Sequence, residues 1–218
     1  MNTHSSFSTN KIIFLVVFIC AALMTSLFVF HMSHKSNPVL SADDGLIFPA
    51  ARDVKPFELQ AANSKPFTQA DLQHHWTLML FGFTHCQKIC PTSLGMLNRV
   101  YLKLHRTYPN LQVVMVSLDP ERDTPEIVDH YAHSFHPDFI GVTGKTPELR
   151  KLQSQLGIFS AREPASGTAN YHLQHTASIL LMNPQGKWAG VFKYGLNPEQ
   201  FAQALTASMQ SLSQQQNG

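Results

Sequence analysis

The chain is 218 residues long, 44% apolar and 14% charged, with a formal charge of +2 and a pI near 8.5. This length suits one domain with a well-buried core plus an appendage. The 16 basic residues form no block and are not interleaved with aromatics, which argues against a nucleic-acid partner. Twelve histidines invite a metal reading, but their number alone decides little, because most histidines of this kind are solvated.

In chain order, the first feature is an apolar run, residues 12–30, without a charge. At 1.5 Å per residue a helix of that length spans roughly 28 Å, enough to cross a bilayer core. The run is longer than the core of a signal peptide, and no small-x-small cleavage site follows it. It is therefore read as an uncleaved N-terminal transmembrane helix rather than a removed leader. Val17-Phe18-Ile19-Cys20 also lacks the small residue expected before a lipidated cysteine. Lys11 and Lys35 nearly balance across the run. A cysteine pair that must be oxidised or metallated favours a soluble domain on the extracytoplasmic, periplasmic side of a cell inner membrane. Residues 1–33 then form a tail and anchor, 34–48 a polar linker, 49–213 the domain and 214–218 a flexible tail.

Within the domain, Pro56-Phe57-Glu58-Leu59 alternates as an edge strand does, and Thr68 to Gln73 suits a single helical turn. Trp76 to Pro91, WTLMLFGFTHCQKICP, comes next. Its apolar run, Leu78 to Phe83, reads as a buried strand, Thr84-His85 ends it, and Pro91 opens a helix. Cys86 and Cys90 are thus expected in a loop feeding a helix N-terminus. There, unpaired N–H groups and the helix dipole favour thiolate, making both residues nucleophiles or metal ligands. The bland alternative is two inert cysteines. Inert cysteines tend to be scattered in apolar cores, however, whereas these two share one loop with His85 and Lys88.

Leu94, Leu97, Tyr101, Leu104 and His105 recur at helical spacing as far as about Tyr108. Leu111 to Leu118 is a β-branched central strand. After it, Asp123 or Thr124 can cap a helix that has Pro125 at its first position. Phe139 to Val142 suits a short strand, and a helix capped by Thr146 follows. His175 to Met182 and Lys187 to Tyr194 form a hairpin around Asn183-Pro184-Gln185-Gly186, and Pro198 to about Leu212 a last helix. His130, His133 and His136 could gather imidazoles near a helix end, but a solvated face is the reading preferred here. Strands alternating with helices, with a terminal hairpin, predict an α/β thioredoxin-like domain, a mixed sheet flanked by helices. Its cysteines lie beyond the carboxyl end of the first buried strand, where open α/β sheets carry their sites.

With these segments assembled, the chain resembles the Sco/SenC family of membrane-anchored copper proteins that assist cytochrome c oxidase assembly. The resemblance is carried by Phe81-Gly82-Phe83-Thr84-His85-Cys86 with Cys90-Pro91, by Asp119-Pro120-Glu121-Arg122-Asp123-Thr124, and by Tyr171 followed by His175-Thr176. It implies that Cys86, Cys90 and His175 bind a copper ion, with His172 the substitute should His175 not serve. Two thiolates suit Cu(I), and an added imidazole allows Cu(II). His85, next to Cys86, could tune or share the metal, but is read first as a loop residue. The usual family loop is Cys-Pro-Asp-x-Cys-Pro. Here Gln87 and Lys88 replace the proline and the acid, and Gln174 stands where an acid often precedes the histidine. Lost negative charge should stabilise thiolate and weaken attraction for a cation.

Because the only long apolar run lies in the anchor, the remaining domain is expected to be soluble and monomeric; the resemblance implies that it acts as a metallochaperone, with a copper-accepting oxidase subunit as its partner. Two other functions fit the cysteine pair: a thiol-disulfide oxidoreductase that reduces target cysteines before metallation, and, more weakly, a peroxidase-like or redox-sensing role. His175 separates the first two, because a simple dithiol exchanger needs no third ligand.

Overall fold

The computed structural model describes residues 9–33, 45–164 and 171–217. It divides into two compact units, Met1–Asn37 and Pro38–Gly218. In the first, helix α1 spans Thr9–Ser33 and carries Cys20, which is exposed. The side chains described on it are those of residues 13–26. Among the described residues no helix is long and apolar enough to cross a membrane. Most of the expected linker, residues 34–44, lies outside the described set.

The second unit begins with β1 (Gly45–Arg52), β2 (Glu58–Ala61) and β3 (Pro66–Thr68), followed by a 3-10 turn at Gln69–Leu72. Strand β4 (Trp76–Gly82), helix α2 (Ile89–Leu104), strand β5 (Leu111–Ser117), helix α3 (Pro125–His133), strand β6 (Ile140–Thr143) and helix α4 (Thr146–Leu156) come next. Then come β7 (Ser160–Pro164), β8 (Tyr171–His175), β9 (Ser178–Met182), β10 (Trp188–Lys193) and α5 (Pro198–Asn217). The main sheet runs β1-β10-β9-β4-β5-β6-β2-β3, with β4, β5 and β6 parallel and the other pairings antiparallel. Helices flank this mixed α/β sheet, as the alternation of elements predicts. Strands β7 and β8 pair only with each other, in a separate two-stranded ribbon.

All seven residues of β4 are buried, which is why its sequence is apolar but for Thr77. Alternate side chains feed opposite faces. Leu78 and Leu80 pack with Leu94, Leu97 and Val100 of α2 and with Phe201 and Leu205 of α5. Met79 and Phe81 pack with Leu149 and Leu152 of α4 and with Phe57 and Phe67. Each such leucine or phenylalanine stabilises the fold by about 1.5–3 kcal/mol relative to exposure. Strand β1 begins at Gly45, inside the stretch read as linker, and pairs with β10. Helix α5 reaches Asn217, past Leu212 and into the stretch read as a tail.

Candidate metal centre

The parallel register sets Gly82, the last residue of β4, against Ser117, the last of β5. Both chains therefore leave the sheet side by side, and Leu118 N donates to Gly82 O at 2.8 Å. Asp123, fully buried in the second loop, ties the two loops together. It accepts from Thr84 N at 2.9 Å, from Thr84 Oγ1 at 2.5 Å and from Ser117 Oγ at 2.5 Å. The sequence offered Asp123 or Thr124 as the cap of α3. Thr124 takes that role, accepting from Ile127 N, and Asp123 is turned inward. A carboxylate with three donors is well compensated for its burial.

This loop carries Cys86 at its outer turn. Cys90 is not in the loop, as the sequence suggested, but in the first turn of α2, and it is fully buried. The Cys90 backbone N–H donates to Cys86 Sγ at 3.3 Å, as an unpaired first-turn amide can. The cysteines also differ in acidity, contrary to the expectation of two thiolates. Cys86 is drawn from 9.0 down to about 3, first by a hydrogen bond from the Cys90 side chain, against the opposing effect of burial. Hydrogen bonding to His175 and to the N–H groups of Cys90 and Lys88 adds to this. Cys90 is pushed well up, because its thiol donates to Cys86 and because it is buried. The metal-free pair is thus one thiolate and one thiol sharing a proton.

His175 closes the group from the end of β8. Its Nε2 lies 3.8 Å from Cys90 Sγ, and its ring meets Phe83 edge to face at 5.8 Å. His175 Nδ1 lies 3.0 Å from Thr176 O. A carbonyl only accepts, so Nδ1 carries the proton. Nε2 is then the nitrogen that faces the sulfurs, the orientation in which metal-binding imidazoles are held. The donor atoms of Cys86, Cys90 and His175 all lie within 4.8 Å of one another, and no other group of three or more metal-ligating side chains gathers so closely among the described residues. Two metal–ligand bonds of about 2.0–2.3 Å reach about 4.5 Å, so the three donors fit a single soft ion with little closure.

The ribbon carrying His175 is held by the Asp119–Thr124 segment. Asp119 is fully buried; it accepts from Arg122 Nε at 2.5 Å and from the Tyr171 hydroxyl at the start of β8. Burial, then this hydrogen bond, pushes the Tyr171 phenol up, so it stays protonated and donates. The ring of Tyr171 carries Arg122 at 4.1 Å and Arg162 of β7 at 4.6 Å, and Arg162 also pairs with Glu121 at 2.6 Å. In the sequence Asp119, Glu121, Arg122 and Tyr171 served only as markers of resemblance, and Arg162 carried no signal. Their contacts with one another were not evident from local pattern.

Of the remaining sequence candidates, His85 is 57% exposed, with Nδ1 3.2 Å from Thr84 Oγ1 and 3.7 Å from Asp123 Oδ1. It lines the mouth of the site with Phe83, Gln87, Lys88 and Arg122 but is not in the three-donor group. The backbone of His172 pairs with Glu163, and its side chain lies outside the described set. His130 and His133 are exposed on α3 and are not in the three-donor group, as a solvated face requires. His136 departs from that reading: it packs against Tyr101 and Phe139, at ring-centroid distances of 4.7 and 5.4 Å.

The SCO1/SenC family model matches residues 49–210. The chain belongs to the SCO1/SenC family. Among its relatives, a protein of Stutzerimonas stutzeri named for copper binding is 34% identical over 71% of this chain and 76% of its own. The mouse mitochondrial SCO2 homolog is 32% identical over 68% of this chain. The match spans 59% of the mouse protein, less than two thirds of its length. Among solved structures, Arabidopsis thaliana ScoI with copper bound superposes with a TM-score of 0.68 at 27% identity, covering 74% of this chain and 99% of that one. Against the usual SCO1/SenC loop, Lys88 is the residue preceding α2, and Gln174 is exposed beside His175.

Proposed function

We propose that this chain is a copper metallochaperone that assists copper insertion into cytochrome c oxidase. Residues 49–213 would work on the extracytoplasmic side of the inner membrane, carried by an anchor within 1–33 and a linker over 34–48. The observation that carries the reading is the convergence of Cys86 Sγ, Cys90 Sγ and His175 Nε2, with the far nitrogen of His175 tied to a carbonyl. Copper is the cargo. Two sulfurs favour Cu(I), and the imidazole extends the site toward Cu(II). Membership of the family and the copper-bound relative support copper as the ion. An oxidase subunit as the acceptor rests on the family resemblance.

A second reading is favoured by the thiolate–thiol asymmetry. In a disulfide exchange, Cys86 thiolate attacks one sulfur of a target disulfide and the other leaves as thiolate. Cys90 then loses its proton and attacks Cys86 Sγ, releasing the reduced target and leaving a Cys86–Cys90 disulfide. The chaperone reading takes precedence because exchange makes no use of His175.

Titration of the reduced protein with Cu(I) against a competing chelator tests the choice. One copper per chain, bound far more tightly than by a free dithiol and lost in Cys86→Ser, is the expected result. Binding no better than a free dithiol would put the oxidoreductase first. Full-length protein should fractionate with membranes and keep residues 1–33; a soluble form shortened by about thirty residues would replace the anchor with a cleaved signal.

A further inference from the structure

The third donor is carried by an element that the main sheet does not hold. Strands β7 and β8 pair only with each other, and His175 is the last residue of β8. Of the contacts joining this ribbon to the body, one cluster is polar, closes over a buried carboxylate and is centred on a single side chain. The Tyr171 hydroxyl donates to fully buried Asp119, while its ring meets the guanidinium groups of Arg122 at 4.1 Å and Arg162 at 4.6 Å. Asp119 is further held by Arg122 at 2.5 Å and lies 3.6 Å from Arg162 Nη2. Both guanidinium groups thus reach the same carboxylate across the same ring.

We infer that Tyr171 is a positioning residue for the metal centre: through Asp119, Arg122 and Arg162 it latches the β7–β8 ribbon so that His175 faces Cys86 and Cys90. Tyr171 lies four residues before His175 on one extended strand, so a shift at the latch is transmitted along β8 to the imidazole. Cys86 and Cys90 sit on α2 and its preceding loop, which Asp123 holds through Thr84 and not through Tyr171. Releasing the latch therefore removes the nitrogen donor and leaves the sulfur pair in place. A three-donor site becomes a two-sulfur site, which distinguishes Cu(II) from Cu(I). The latch also carries an internal cost. Arg122 Nη2 is buried without a hydrogen-bond partner, so the closed ribbon is held by a cluster that opening partly relieves.

The metal arm of the test rests on the copper reading, and a metal-free arm separates the two. Tyr171→Phe in the full-length protein keeps the ring and removes the hydroxyl; Asp119→Asn is the second variant, keeping an oxygen acceptor without its charge. Without metal, amide exchange by NMR should speed at least tenfold along β7 and β8, including Thr176 N–H, which donates to Phe159 O at 3.0 Å, while β4 and β5 stay protected. Unchanged ribbon exchange, or acceleration spread through β4 and β5, would overturn the latch whether or not copper binds.

With copper, Tyr171→Phe should lower Cu(II) affinity at least tenfold, alter the Cu(II) electron paramagnetic resonance spectrum and leave Cu(I) affinity within about threefold. Added to His175→Ala it should cause no further Cu(II) loss, because both act through one donor. Additive losses, or equal losses of Cu(I) and Cu(II), would overturn the latch. Failure of the wild-type protein to bind copper would count against the proposed function alone, with the exchange measurement still deciding the latch.

Discussion

Gly82 and Cys90 are in contact across the end of the central strand: a Cβ on Gly82 would stand 2.5 Å from Cys90 Sγ. Real carbon–sulfur contacts do not come so close, so any side chain at Gly82 must move the sulfur. Glycine is required here for close approach, and its role is to let the first turn of α2 sit directly over the end of β4. Gly82→Ala should therefore keep the fold, at an overpacking cost of about 1–3 kcal/mol, and displace one metal-binding sulfur. Cu(I) competition titration should show affinity reduced about tenfold or more, with circular dichroism unchanged. Unaltered affinity would mean that Cys90 is not held by this contact.

The divided acidity of the cysteines makes a prediction about pH. Cys86 is depressed from 9.0 to about 3 in the folded chain, so it favours folding at high pH. That contribution is complete above 9.0 and is lost as pH falls through the interval toward 3, where the unfolded chain binds a proton that the folded one does not. Cys90, pushed upward, acts in the opposite sense: its contribution is present below 9.0 and lost as pH rises beyond it. Reduced protein should accordingly melt at progressively lower temperature from pH 8 to pH 4, and Cys86→Ser should flatten that slope. At pH 5 iodoacetamide should label Cys86 and spare Cys90, read by peptide mass spectrometry. Equal labelling of both sulfurs would contradict the assignment.

Asp123 joins the loops that follow β4 and β5. Asp123→Ala leaves the Thr84 N–H, the Thr84 hydroxyl and the Ser117 hydroxyl without their acceptor. Unsatisfied buried donors cost about 1–3 kcal/mol each, and Thr84 is partly accessible to water. A loss of about 2–4 kcal/mol is therefore expected in urea denaturation. Helix α3 keeps its Thr124 cap, so the loss should not be accompanied by lost helicity at low denaturant. A change below 1 kcal/mol would show that water replaces the carboxylate.

The main sheet was legible because β4 and β5 are apolar over nearly their whole lengths and the helices after them carry proline in their first turns. The β7–β8 ribbon was not. SAREP and YHLQH contain mostly half-buried or exposed positions, and the ribbon pairs with itself on the surface, so no apolar alternation marks it. His175 was consequently read as the start of the β9 strand, although its meeting with the cysteines was anticipated from its motif. Asp123 looked like a cap because its three donors come from segments 6 and 39 residues distant. The contact of Gly82 with Cys90 and those of the Tyr171 ring with two arginines are likewise tertiary. The unequal cysteines follow from one helical residue: α2 starts at Ile89, so Cys90 is buried while Cys86 stays outside the helix.

The central claim is that two sulfurs and one imidazole hold the cargo, and His175→Ala tests it most directly. The substitution removes one of three donors and leaves Cys86 and Cys90 untouched. Loss of a ligand worth about 3 kcal/mol corresponds to about a hundredfold in affinity. Cu(II), which relies on the nitrogen, should weaken by about that factor, with loss of nitrogen coupling from its electron paramagnetic resonance spectrum. Cu(I), held by the sulfurs, should change far less. Affinities for both oxidation states equal to those of the wild-type protein would contradict the assignment of His175 and, with it, the three-donor centre.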